Sequence, residues 1–406
     1  MKNIYIIDEH QSSKQNGVGT YITQLIKCFK GTGHNLNLIS FNSDEKVFNS
    51  AEKEGYTEYI FPICGKGNFL DNGALTLSVL RLYISDSSDN VFFVNHSPCS
   101  SFLKVLSKVF PLSKIIFVIH DQGWCASLLG NITKLNEILS KHSFCQSERN
   151  NAKYVKMYFA EECKMYRLVD DIIVLANSTM DLLKTVYQVP TDKLHLIPNG
   201  MEYPKALLSA KQRSENKKKY GICENEFVIF YAGRTVESKG IFSLLSAFEM
   251  LYKTYPQVRL VIAGEVFQLN EFAQKITTSC THVCFTGLIS HEQLSEWCQI
   301  ADLGILPSYT EQCSYFGIEL LSQCSLIIAS DGHNMKDMFD SGVSIIAHVD
   351  SSTSNFTNHL YNAMVKAISM SYDEKNRQKK ESRKRFEERY ALNIMRNSYL
   401  KLINKN

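Results

Sequence analysis

No run of about 18 uncharged apolar residues occurs in this 406-residue chain, so nothing in it reads as a membrane-spanning helix. Charge of one sign is also lacking: 44 Lys and Arg against 41 Asp and Glu leave a formal net charge of +3 and a pI near 8.1. That supplies no global field for nucleic acid, and none is expected as a partner. There is no C-x-x-C pair; the twelve cysteines are scattered singly. The first residues, Met1-Lys2-Asn3-Ile4-Tyr5-Ile6-Ile7-Asp8, read as a short strand rather than a signal peptide. Reduced thiols and a cytoplasmic location are therefore expected. Cys280-Thr281-His282-Val283-Cys284 is the one ligand-like cluster, and side chains of a short strand cannot all face one metal, so no metal site is expected. The chain has no G-x-S-x-G elbow, no P-loop lysine motif, no H-E-x-x-H and no D-x-D.

What is present is a rhythm. The length exceeds one ordinary core and favours two or three domains. Apolar runs at 4–7, 36–41, 91–95, 114–119, 171–175 and 194–197 alternate with helical patterns at 21–29, 75–84, 101–109, 145–168 and 180–187. Such alternation predicts a parallel sheet with helices on both faces, here filling residues 1–203. Tyr203-Pro204 and the polar stretch Lys211–Lys219 read as a solvated crossing segment. The rhythm then restarts, with strands at 227–231, 259–263, 283–286, 303–306 and 326–329 and helices between, as a second α/β domain over 204–375. Residues 376–406 form a charged helical tail, expected to pack back on the first domain. Two such domains in series imply a ligand cleft between them.

Four loops carry the candidate chemistry. After the apolar run Leu303-Gly304-Ile305-Leu306 comes Pro307-Ser308-Tyr309-Thr310-Glu311-Gln312-Cys313-Ser314-Tyr315-Phe316-Gly317-Ile318-Glu319. Ligands collect where a parallel strand ends and a helix begins. The spacing puts Glu311 beside the helix start and Glu319 about two turns into it, flanking unpaired backbone amides. The loop Gly233-Arg234-Thr235-Val236-Glu237-Ser238-Lys239-Gly240 sets a guanidinium and an ammonium at the end of another strand, chemistry suited to a pyrophosphate. In the first domain, Asn16-Gly17-Val18-Gly19-Thr20-Tyr21 lacks the third glycine of a dinucleotide fingerprint, Ile22 standing in its place, yet its glycines still permit close approach to a ligand. Ile119-His120-Asp121-Gln122-Gly123-Trp124 ends a strand with a histidine able to bind a sugar hydroxyl or move a proton, and His96 holds the same position one strand earlier, as support.

Four pieces in order, Gly17-Val18-Gly19, Leu194-His195-Leu196-Ile197-Pro198-Asn199-Gly200-Met201, Gly233-Arg234 with Lys239-Gly240, and Glu311-x7-Glu319 behind Pro307-Ser308, make the chain resemble the two-Rossmann-domain GT-B glycosyltransferases. The likeness is closest to the retaining enzymes of glycosyltransferase family 4. The resemblance implies two doubly wound domains facing across a cleft, with C-terminal helices crossing back. It implies a retaining, metal-independent transfer, of the hexosyltransferase type, from a nucleoside-diphosphate sugar to a hydroxyl on a glycan, a lipid-linked sugar or a peptide. A UDP-sugar is the expected donor, no cofactor is expected, and peripheral membrane contact is allowed for. In this likeness Arg234 and Lys239 match the diphosphate cations, Glu319 the acid on the ribose, and Glu311 the acid beside the transferred sugar. His120 matches the histidine near the acceptor, Gly17 and Gly19 the glycine loop, and Thr286-Gly287-Leu288 the segment lining the base. Cys313, Ser314 and Tyr315 fall on the donor-facing segment; Cys313-Ser314 stand where the family has Phe-Gly, which bears on donor identity. A sugar-nucleotide epimerase of the same architecture and a non-catalytic sugar-nucleotide-binding partner are the alternatives.

Overall fold

The computed structural model describes residues 1–14, 16–63, 77–97, 99–141, 143–204, 207–266, 269–323, 326–350 and 353–404. The chain divides into two compact units, Met1–Gly200 with Leu392–Asn406, and Met201–Ala391. Among the described residues no helix is long and apolar enough to cross a membrane.

The first unit is built on eight strands, β1 (Asn3–Glu9), β2 (Asn35–Ser43), β3 (Asn49–Lys53), β4 (Tyr56–Pro62), β5 (Asn90–Val94), β6 (Lys114–Val118), β7 (Asp171–Val174) and β8 (Leu194–Leu196), in the order β3-β4-β2-β1-β5-β6-β7-β8. All neighbours are parallel except β3 and β4. β1 lies between β2 and β5, with Ile4 opposite Leu36 on one side and Val91 on the other. Helices cover both faces, so β1 reads as an unbroken apolar run; Ile4, Ile6 and Ile7 are fully buried. Its order reverses beside β1; Asp8 lies near the carboxyl end of β1, and Asn95 and His120 lie in the loops that follow β5 and β6.

The hairpin β3–β4 is absent from the sequence reading. β3 carries Asn49-Ser50-Ala51-Glu52-Lys53, almost wholly exposed, so it has no apolar run to reveal it. The Glu54-Gly55 turn that closes it, with Lys53 opposite Tyr56, was the available signal. Of the expected helix at 75–84, residues 75 and 76 lie outside the described residues and 77–80 are helical.

The second unit has six parallel strands, β9 (Phe227–Ala232), β10 (Val258–Ala263), β11 (Val283–Gly287), β12 (Leu303–Leu306), β13 (Ile327–Ser330) and β14 (Ile345–Ala347), ordered β11-β10-β9-β12-β13-β14. The order reverses between β9 and β12. The Arg234 and Glu311 loops leave these two adjacent strands, at the point where an open α/β sheet takes its ligand.

Several boundaries differ from the sequence expectation. Lys211–Lys219 is a helix, Ala210–Lys219, started by a capping box in which Ser209 and Gln212 satisfy each other's backbone N–H groups. The first break falls at Gly200–Met201, three residues before 203. The expected boundary at 375 falls inside the helix Tyr372–Arg385, which the Ser371–Glu374 capping box launches without a break. Residues 376–391 therefore belong to the second unit, and only the segment from Leu392 joins the first. There the helix Leu392–Ile403 lies on the helix Gly17–Phe29: the Tyr21 and Tyr399 hydroxyls meet at 2.5 Å, and Arg396 donates to the Lys30 carbonyl at 2.9 Å.

Candidate active site

In the second unit the site grows from two loops that touch. β9 ends at Ala232; Gly233 and Arg234 follow, and Tyr231 donates its hydroxyl to the Arg234 carbonyl at 2.8 Å. The Arg234 side chain is exposed and has no ion pair among the described residues. A single turn, Glu237–Lys239, leads to Gly240 at φ +70°, where a Cβ would sit 2.0 Å from the Pro307 carbonyl oxygen. Only glycine allows both that backbone and that approach. The contact presses the cationic loop onto the loop leaving β12, and Tyr309 N–H completes the seam by donating to the Ser238 carbonyl at 2.9 Å.

Glu311 is consequently held from several sides. Lys239 Nζ lies 2.7 Å from its Oε1, and Ser308 Oγ donates to the same oxygen at 2.8 Å. Ser308 is fully buried, and its own carbonyl accepts from Ser330 Oγ. The Lys239 and Glu311 side chains are 18% and 11% exposed, so this pair is far less screened than a surface ion pair. The backbone is fixed too: Glu311 N–H donates to the His333 carbonyl at 3.2 Å, His333 N–H to the Tyr309 carbonyl at 2.9 Å, and Asn334 Nδ2 to the Glu311 carbonyl at 2.8 Å. The loop after β13 thus pairs with the Glu311 loop like a short extra strand. Burial pulls the His333 imidazole down to about 4, so it stays neutral.

Ser314, the departure from the family pattern, begins the helix Tyr315–Gln323: its Oγ accepts from Gly317 N–H at 3.2 Å and its carbonyl from Ile318 N–H at 3.0 Å. Because the helix starts at Tyr315, Glu319 stands little more than one turn into it, not two. Glu319 is 5% exposed and bonded to Gln323 Nε2; burial pushes its carboxyl up to about 7. Cys313 is buried as a free thiol.

In the first unit, Gly17 and Gly19 lie in the first turn of the helix Gly17–Phe29, capped by Asn16, whose side chain accepts from Val18 N–H at 2.8 Å. They are helical, not a free loop. A Cβ on Gly19 would approach the Ser13 carbonyl oxygen to 2.5 Å, so the glycine permits the tight entry to that helix. His120 follows β6, with Tyr21 edge-on at 4.4 Å and Asn95 Oδ1 at 3.2 Å from Nε2. The ring is only partly exposed, and burial pulls its pKa down to about 3. The Gln122-Gly123 turn beyond it is anchored by buried Glu162, which accepts from Gly123 N–H at 2.7 Å and Tyr187 Oη at 2.5 Å and whose carboxyl burial raises to about 7.

The profile described as "Glycosyl transferases group 1" matches residues 212–385, and that described as "Glycosyltransferase Family 4" matches 15–203. The chain belongs to this family of glycosyltransferases. It is 27% identical over 210 residues, 48% of this chain and 54% of the relative, to the lipopolysaccharide 1,2-N-acetylglucosaminetransferase of Salmonella typhimurium. The alignment thus spans about half the length of that relative. Among solved structures it is similar to the sucrose-phosphate synthase of Thermosynechococcus elongatus, with a TM-score of 0.74, 15% identity, and 99% and 98% of the two chains covered. It is also similar to HepE of Anabaena in complex with UDP and glucose, with a TM-score of 0.70, 14% identity and 99% of each chain covered. At such identity these two likenesses establish the GT-B fold alone.

Within this family member, the structure brings Arg234, Lys239, Glu311 and Glu319 to one edge of the second unit, while Gly17, Gly19 and His120 belong to the first. The base-lining candidate Thr286-Gly287-Leu288 closes β11, with Leu288 exposed. Sequence reading missed the grip of Ser308 on Glu311 and the whole of His333 and Asn334, because a polar loop after a short strand has no periodic signature. Asn334, at φ +65°, lies in a region where Asn is the commonest non-glycine residue, but nothing in its sequence neighbourhood announces that. Cys280 and Cys284 are exposed free thiols, and among the described residues no group of three His, Cys, Asp or Glu could hold a metal ion.

Proposed function

We propose that the protein is a retaining glycosyltransferase that moves a sugar from a nucleoside-diphosphate sugar, with UDP the preferred carrier, to a hydroxyl acceptor. The observation that carries the reading is the placement of Arg234 and Lys239 on one loop, against Glu311 on the next, at the switch point of the second sheet. Arg234 and Lys239 meet the charge that develops on the leaving diphosphate, so fixed cations do the work a divalent ion does elsewhere. Glu319 accepts hydrogen bonds from the ribose. Glu311, already committed to Lys239 and Ser308, suits hydrogen bonding to the transferred sugar better than nucleophilic attack. Retention then comes from attack on the face the diphosphate leaves, with the leaving phosphate taking the acceptor proton. His120, in the first unit, is read as a hydrogen-bonding partner of a sugar hydroxyl. The acceptor is a glycan or a lipid-linked sugar; a peptide hydroxyl is the remaining class.

The test begins with a panel of nucleotide sugars in a thermal-shift assay, where a selective donor raises the melting temperature. That donor is then offered with candidate acceptors, and the anomeric configuration of the product is read by proton NMR. Transfer undiminished in Arg234→Ala, Lys239→Ala and Glu311→Gln alike would overturn these roles, and an inverted product would overturn the retaining mechanism.

A further inference from the structure

The two histidines at the strand ends of the first unit are held in opposite ring forms by their surroundings. Asn95, 3% exposed, donates its Nδ2 to the Ile7 carbonyl at 3.1 Å and to the Phe93 carbonyl at 3.4 Å. Two carbonyl oxygens on that side fix the orientation of the amide, since reversal would set Oδ1 against two acceptors. Oδ1 is therefore the atom 3.2 Å from His120 Nε2. An amide oxygen only accepts, so Nε2 must carry the proton. In a neutral ring this leaves Nδ1 with its lone pair, and no described residue hydrogen-bonds it.

His96 shows the reverse. Its Nε2 lies 2.9 Å from Glu9 N–H, which can only donate, and 3.6 Å from Asp8 Oδ1, which can only accept while ionised. The shorter, hydrogen-bonded contact decides: Nε2 is the unprotonated nitrogen of His96. The His120 ring is further confined by Tyr21, whose hydroxyl is bonded to Tyr399 of the last described helix. Burial opposes protonation of His120 in the same direction.

We propose that Asn95 is a positioning residue for the transfer reaction: it fixes His120 as the neutral Nε2-protonated tautomer, so that His120 accepts a hydrogen bond from a sugar hydroxyl through Nδ1. The inference rests on the transferase reading but concerns the polarity of one contact, acceptor rather than donor, and the residue that sets it. Orientation of a ring by the partner of its other nitrogen is the same principle that orders histidine ligands and bases elsewhere.

The experiment uses the full chain labelled with ¹⁵N-histidine. Long-range ¹H–¹⁵N correlation spectra report the tautomer of each ring, and His120 is assigned by the signals lost in His120→Gln. A neutral Nε2–H ring between about pH 6 and 8 is expected; an Nδ1–H or doubly protonated ring overturns the proposal, whether or not a donor has been found. With donor and acceptor in hand, Asn95→Ala lowers kcat by about ten- to a hundredfold, the cost of a misplaced catalytic contact. The donor KM changes less than about twofold, and the same substitution does nothing further in a His120→Gln background. Full activity in Asn95→Ala, or effects that multiply in the double variant, overturns the proposal. Should Asn95→Ala fail to fold, the wild-type spectrum still decides. Should the wild type transfer no sugar at all, the transferase reading falls while the tautomer remains measured.

Discussion

Lys239 Nζ and Glu311 Oε1 lie 2.7 Å apart, each the nearest opposite charge to the other in a partly buried loop pair. On the proposed reading, a diphosphate entering beside Lys239 competes with a carboxylate already in place, and the energetic effect of either residue depends on the presence of the other. Lys239→Ala and Glu311→Gln are expected to be strongly non-additive in kcat/KM, with a coupling energy of about 1–3 kcal/mol in a double-mutant cycle. Measured additivity within about 0.5 kcal/mol would mean that the pair does not persist in the working enzyme.

Ser308 should matter beyond packing. Ser308→Ala removes a donor from Glu311 Oε1 and leaves Lys239, among the described residues, as the one side chain on that oxygen. A fall in kcat of about tenfold is expected with the donor KM nearly unchanged, because the loss corresponds to about one charge-assisted hydrogen bond. Ser308→Thr, which restores the hydroxyl, should recover part of it. Steady-state kinetics at saturating acceptor checks both.

Gly240→Ala should be severe. The new methyl group would meet the Pro307 carbonyl oxygen at 2.0 Å on a backbone at φ +70°. Strain of both kinds predicts a loss of about 2 kcal/mol or more in urea unfolding, together with loss of donor binding as the two loops separate. The same substitution at Gly31, also at positive φ but with nothing within 4 Å of its Cβ position, should cost less.

Two buried acids make stability fall as pH rises. Glu162 and Glu319 are each shifted from an ordinary 4.5 to about 7, in both cases chiefly by burial. Between those values the folded state binds more protons than the unfolded chain, so folding is favoured below about pH 4.5 and the advantage is lost as pH climbs through 7. Each group contributes on the order of 3 kcal/mol across that window. Glu162→Gln and Glu319→Gln should each flatten the slope, read by urea midpoints from pH 5 to 8. If Glu319 holds the ribose as proposed, donor affinity should fall below pH 7 in the wild type and lose that dependence in Glu319→Gln, because only the ionised acid can accept from both ribose hydroxyls.

The fold was legible because parallel strands buried on both faces announce themselves: the expected runs at 4–7, 227–231 and 303–306 all became strands. What escaped had little burial to write a pattern. β3 is exposed, β14 is three residues long, and the helix Ala210–Lys219 has no buried residue, so only its Ser209 and Gln212 caps mark it. Within the candidate site the charged residues stood out: Arg234, Lys239 and Glu311 lie in the segments after β9 and β12, and Glu319 in the helix that follows. Their supports did not. Ser308, Asn95 and Asn334 act through geometry that appears only once distant loops are brought together. The two-turn placement of Glu319 was wrong by nearly a turn because the helix is capped by Ser314, three residues after Glu311, and starts at Tyr315.

The helix Leu392–Ile403 has a consequence for how the protein is made. Tyr21 and the carbonyl of Lys30 receive their partners, Tyr399 and Arg396, only after the intervening unit Met201–Ala391 has been synthesised. At about 5–20 residues per second, the first unit waits on the order of ten to forty seconds on the ribosome with its Tyr21 face uncovered. The second unit, continuous in sequence, can close during that interval. The first unit thus begins to emerge before the second and is completed after it, and its uncovered face is open to a chaperone during that interval.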